Sequence, residues 1–130
     1  MNGPILIEVS AGELLDKITI LEIKQARISD TGKLVNVATE LEGLLVSRAA
    51  LLPEEPRLDS LTAALRKVNE TLWEIEDQIR DLERAENFGP EFVALARAVY
   101  RTNDQRAALK REINAVCGSR LIEEKSYQPY

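Results

Sequence analysis

A guanidinium interrupts an otherwise apolar repeat. In the run Phe92, Leu95, Val99, Thr102, Arg106, Leu109, Ile113 and Val116, spacings of three and four alternate, and only Thr102 and Arg106 are polar. A charge turned toward a core is very costly unless it is paired. Two chemistries follow. In one, Arg106 is held by Glu76 or by a carboxylate of the first helix and fixes the register, as polar seam residues often do. In the other, Arg106 and Lys110, one turn on, receive an anionic ligand in a mid-bundle pocket. Asn69, Trp73, Glu76 and Asn103 fall within a turn of the break on the facing or same helix.

Other chemistries are narrowed by what the chain contains. It has no histidine, which excludes Ser–His and Cys–His triads and histidine-bound metals. Cys117 is the only cysteine, so neither an intrachain disulfide nor a structural zinc site can form. It is expected to act as a small core residue and not as a nucleophile. Glu70, Glu74, Asp77 and Asp81 form an acidic stripe. A carboxylate-held magnesium would need a second pair on the facing helix, where Asp104 and Glu112 lie two turns apart. The stripe is therefore expected to be a solvated face, and no metal or cofactor is expected. Asp16, Lys17, Glu22 and Lys24 are mixed among apolar residues of the first helix. They are i,i+4 pairs on a solvent side, or internal pairs if that helix is covered on both sides.

The elements that must position these groups are helices. Ser10 and Glu13 match a capping box opening a helix over about 11–29. Its stripe Leu14, Ile18, Leu21 and Ile28 is widened by Leu15, Ile20 and Ile23, which predicts burial on more than one face. Asp30-Thr31-Gly32 reads as a stop and turn, followed by a helix over about 33–51. Pro53 and Pro56 break the chain.

The third helix, about 57–86, carries the clearest signal. Leu58, Leu61, Leu65, Val68, Leu72, Ile75, Ile79 and Leu82 form an unbroken heptad seam. Asn87-Phe88-Gly89-Pro90 ends it, and a fourth helix follows over about 90–117. The short connection makes the two long helices antiparallel. The expected fold is all-α and a single domain. It has one short hairpin and one long, coiled-coil-like hairpin, packed as a four-helix arrangement. The segment 4–9 is an extended lead-in or short strand, and 119–130 an irregular tail.

Charge and composition set the setting. The net charge of −5 argues against phosphate-led binding to nucleic acid. No signal peptide is read at the start, and no apolar run approaches the roughly 20 residues needed to span a bilayer. The expected location is cytoplasmic, with no membrane partner.

The stretches Val9–Lys24 (VSAGELLDKITILEIK), Leu72–Asp77 (LWEIED), Ala96–Asp104 (ARAVYRTND) and Glu123–Tyr127 (EEKSY) together resemble a bacterial family defined only as a domain of unknown function. The resemblance covers essentially the whole chain and brings no activity with it. It implies a stand-alone protein whose recurring polar residues lie on helix one, mid-helix three, mid-helix four and the tail. If the tail folds back, Asp16, Lys17, Lys24, Trp73, Glu76, Arg97, Asn103, Arg106, Lys110, Lys125 and Tyr127 surround one site, with Glu13 and Glu124 nearby.

The functional expectation is a non-catalytic binding or assembly module, either a homo-oligomer or an accessory subunit. The alternative is a small-molecule-binding protein or enzyme handling an anionic metabolite near Arg106, whether phosphorylated, sugar-nucleotide or carboxylate. A dry ion pair at Arg106 favours the first, and an open polar cavity favours the second.

Overall fold

A computed structural model describes residues 3–130. Four helices follow in order: α1 (Ala11–Arg27), α2 (Thr31–Leu51), α3 (Pro56–Arg84) and α4 (Pro90–Cys117). Each begins where local chemistry satisfies free backbone donors or spares one. The Ser10 hydroxyl accepts the Glu13 N–H at 3.1 Å, closing the first turn of α1. The Asp30 carboxylate does the same for the Lys33 N–H at 2.9 Å. This moves the start of α2 back to Thr31: Asp30-Thr31-Gly32 is not a free turn but the cap and first residues of α2. Pro56 and Pro90 occupy first turns, where a missing N–H costs nothing. Gly118, at φ 63°, ends α4 in the left-handed conformation, and the Ser119 N–H returns to the Asn114 carbonyl at 2.9 Å.

α1 is the hub. It packs against α2, α3 and α4, while α3 and α4 pack against each other and the backbone of α2 approaches α1 alone. That role needs an apolar surface wider than one stripe. Leu14, Leu15, Ile18 and Leu21 all lie in the core with Val37 and Leu41 of α2, Leu58 and Leu65 of α3, and Ile113 of α4. Burying each such side chain is worth about 1.5–3 kcal/mol, so α1 holds the two hairpins together.

The arrangement is uneven along its length. α1 ends beside Glu74, which pairs with Arg27 at 3.1 Å. Beyond that point the long hairpin has no third layer among the described residues: Ile79, Leu82, Phe92, Leu95 and Val99 remain half-buried. Phe88 and Phe92 meet edge to face at 5.2 Å near its tip. The lead-in 3–9 forms no strand, and Ile5, Leu6 and Ile7 are exposed. No helix among the described residues is long and apolar enough to cross a membrane.

Candidate functional site

The polar residues of the seam converge on the first half of α1. Arg106 donates from Nε to Asp16 Oδ1 at 2.9 Å and from Nη2 to Asp16 Oδ2, a fork that matches the carboxylate. Asp16 is only 1% exposed. Its Oδ1 also accepts from Asn69 Nδ2 at 2.9 Å, and the same amide donates to Thr19 Oγ1 at 2.9 Å. The Thr19 hydroxyl in turn donates to the Asp16 carbonyl at 2.8 Å. Burial alone would raise the Asp16 carboxyl. The hydrogen bonds from Arg106 and Asn69 and the nearby charges of Arg106 and Lys110 override it and hold it below the usual carboxylate range.

Lys110 extends the cluster toward the tail. Its ammonium, 8% exposed, donates to Glu13 at 2.8 Å and Glu123 at 2.6 Å, and Asp16 lies 4.0 Å away. Desolvation pulls its pKa down, but Glu123 and Glu13 outweigh it and the net direction is up. The Glu123 carboxyl is lowered by the same contact with Lys110. The cluster holds two cations, Arg106 and Lys110, against three carboxylates, Asp16, Glu13 and Glu123. Every buried side-chain polar atom among the described residues has a partner. With carboxylates outnumbering cations, the cluster leaves no cationic excess for an anion.

The start of α1 is tied to the end of α4 by the same logic. The Gly12 N–H reaches Asn114 Oδ1 at 2.7 Å, and the Ala11 N–H reaches Ser119 Oγ at 2.9 Å. A side chain at Gly12 would stand 2.5 Å from the Lys110 carbonyl oxygen, so the helices approach closely only because the residue is glycine.

The structure separates the residues of the expected single site into three places. Asp16, Arg106 and Lys110 form the closed cluster. Trp73 and Glu76 line a groove of about 380 Å³ beside it, with Asn69, Leu72 and one edge of Arg106. Glu76 is taken by Arg80 at 3.0 Å. Lys125 and Tyr127 lie with the tail in a cleft of about 420 Å³ against Tyr100 of α4, and Arg97 flanks the Tyr100 hydroxyl. Lys17 pairs with Glu13 at 3.9 Å. Lys24 and Asn103 are half-buried and join no hydrogen bond of the cluster. Thr19, Asn114 and Glu123 complete the network; Thr19 and Glu123 lie in the recurring motifs, but none of the three is among the expected site residues. Asn114 carried a signal, being a polar residue directly after Ile113 on the inward side of the last α4 turns.

No three acidic or thiol side chains among the described residues converge as metal ligands. The acidic stripe is broken up by ion pairs, Glu70 with Arg66 and Asp81 with Arg84. Burial pushes the Cys117 thiol above its ordinary value, the wrong direction for a nucleophile.

A family model described as a family of unknown function, DUF6165, matches residues 5–130. No curated protein and no solved structure matches the chain.

Proposed function

We propose, from the premise that the chain belongs to this family of unknown function, DUF6165, that it is a non-catalytic binding or assembly module that forms a homo-oligomer or serves as an accessory subunit. The observation that carries the reading is the closed ion-pair cluster at Asp16, Arg106 and Lys110, where every charge is matched from within the chain. A catalytic or anion-binding site keeps donors free for a ligand, whereas a scaffold consumes them.

The surface left over suits partners. α2 is apolar on two flanks but packs on one: Val35 is 65% exposed, Val46 66% and Leu51 77%. A helix apolar on most sides is ordinarily covered. Exposed Ile5, Leu6 and Ile7 border a groove shared with Leu51 of α2 and Leu52 just after it. The reading includes coiled-coil-like pairing of α3 and α4, supported by their heptad seams. It also includes a bacterial, cytoplasmic setting, which the motif resemblance and the lone thiol support.

Sedimentation velocity of the full chain tests it. The parent is expected to self-associate at micromolar concentration, and Leu45→Glu with Val46→Glu to abolish this with helicity retained. A parent that stays monomeric, and that captures no partner protein through this face, would overturn the reading.

A second reading has one observation behind it: Arg106 borders the Trp73 groove with part of its guanidinium, its side chain 30% exposed. A small carboxylate or phosphate ester could dock there, with its apolar part on Trp73 and Leu72. Quenching of Trp73, the only tryptophan, during titration with such compounds tests it. No quenching by any of them would remove it.

A further inference from the structure

All three tyrosines of the chain meet in one cleft. Tyr100 on α4 and Tyr127 and Tyr130 on the tail line a cavity of about 420 Å³, together with Lys125 and Asp104. Clefts of this size hold small molecules. The rings are not there to fill a core: Tyr127 is 82% exposed and Tyr130 72%. Tyr100 and Tyr130 pack at 5.0 Å with their planes tilted, and the Tyr130 hydroxyl donates to Asp104 at 2.6 Å.

The tail that brings them is held by charge. Glu123 is anchored on Lys110 at 2.6 Å and Glu124 pairs with Arg111 at 3.6 Å. Fixing a chain segment costs roughly 1–2 kcal/mol per residue, and exposed rings return little of that through burial. The tail therefore leaves these aromatic faces open to solvent.

Two cations, Lys125 and Arg101, lie at or beside this cleft on a chain of net charge −5. The Arg101 guanidinium lies 5.5 Å from the Tyr130 ring centre, and the Lys125 ammonium 5.8 Å from that of Tyr127. Arg97 flanks Tyr100, one turn from Arg101 on the same face of α4. Lys125 thus lines the cleft and Arg101 borders it through the Tyr130 ring, against one lining carboxylate, Asp104, itself engaged by Tyr130. This is the reverse of the closed cluster, where carboxylates outnumber cations.

We propose that the tail cleft is a binding site for a nucleoside phosphate. Its flat base stacks on the open face of Tyr127 or Tyr100, and its phosphates are held by Lys125 and Arg101. Stacking on an aromatic ring is worth about 1–3 kcal/mol per base, and arginine matches phosphate geometry with paired donors. Neither half alone supplies both terms, so the intact nucleotide is favoured over its parts. The site is separate from the Trp73 groove and from the α2 face.

Calorimetric titration of the full chain with uridine and adenosine 5′-diphosphates tests this, with inorganic phosphate and the free nucleosides as separate arms. One diphosphate is expected to bind saturably, and Tyr127→Ala and Lys125→Glu each to weaken it about tenfold or more. Both positions are exposed, so an unchanged melting temperature is expected in each variant. Raised salt should weaken the nucleotide, and the separate parts should bind far more weakly. Three results would overturn the proposal: no saturable binding of either diphosphate at millimolar concentration, binding untouched by both substitutions, or phosphate alone binding as well as the nucleotide.

Discussion

Arg106 and Asp16, ninety residues apart in sequence, are joined by two parallel hydrogen bonds that tie α4 to α1 in the core. Removing one partner of such a buried pair leaves the other charge stranded. Asp16→Ala is expected to lose about 3–5 kcal/mol of unfolding free energy, measured by urea titration. Arg106→Leu together with Asp16→Leu should recover much of that loss, because the desolvation cost disappears with both charges. A single Asp16→Ala loss under about 1 kcal/mol would mean the pair is solvated and that the cluster is not what joins the helices.

Gly12 offers a case where two known effects oppose. Alanine is favoured over glycine by about 1 kcal/mol inside a helix. At this position, however, the added carbon would stand 2.5 Å from the Lys110 carbonyl oxygen, part of a helix that cannot give locally. Overpacking of that kind costs about 1–3 kcal/mol. Gly12→Ala is therefore expected to be net destabilising, with a lowered melting temperature in calorimetry. Gly43, where nothing lies within 4 Å of an added carbon, should show the opposite sign on substitution by alanine.

The cluster also sets a pH profile. Asp16 and Glu123 have lowered values in the folded chain, so their contribution is fully present above the unfolded carboxylate range. It is lost as pH falls through the folded values, and stability should therefore decline from roughly pH 4 downward. Lys110 is raised, so its contribution is fully present below the unfolded lysine value and lost as pH rises through the folded one, above roughly pH 10.4. With no histidine in the chain, the melting temperature should be nearly flat between roughly pH 5 and pH 9. In Lys110→Met the alkaline decline should shrink.

The helices were legible because their signals are local. The capping box at Ser10 and Glu13, the prolines at 56 and 90 and the unbroken seam of α3 act within a few residues of where they stand. Boundaries slipped where one residue serves two purposes: Asp30-Thr31-Gly32 has turn composition, yet Asp30 caps α2. The need of Arg106 for a carboxylate could be read from its place in the seam. Which carboxylate it takes could not, since that depends on the docking of α1. Glu76 sits nearer in the heptad argument but is occupied by Arg80, four residues on. The tail was least legible. Its course depends on single long-range contacts, Glu123 with Lys110 and Tyr130 with Asp104, that no periodicity announces.

The long hairpin should not be equally stable along its length. Near its base, Leu58 and Leu65 of α3 and Ile113 of α4 are buried with α1 in one core, and opening them requires undocking α1. Past the Arg27–Glu74 contact only two helices remain, and their facing residues Ile79, Leu82, Phe92 and Leu95 keep one side toward solvent. Local opening there breaks fewer apolar contacts, so amide hydrogen exchange should be markedly faster over residues 78–84 and 91–98 than over 61–69 and 103–113. Leu82→Ala should accelerate the tip alone, whereas Leu65→Ala should lower protection throughout. Uniform protection at high protein concentration that becomes uneven on dilution would identify a second molecule as the missing third layer. Uniform protection at every concentration would show that two helices suffice, and that the half-buried seam at the tip is not a weak point of the fold.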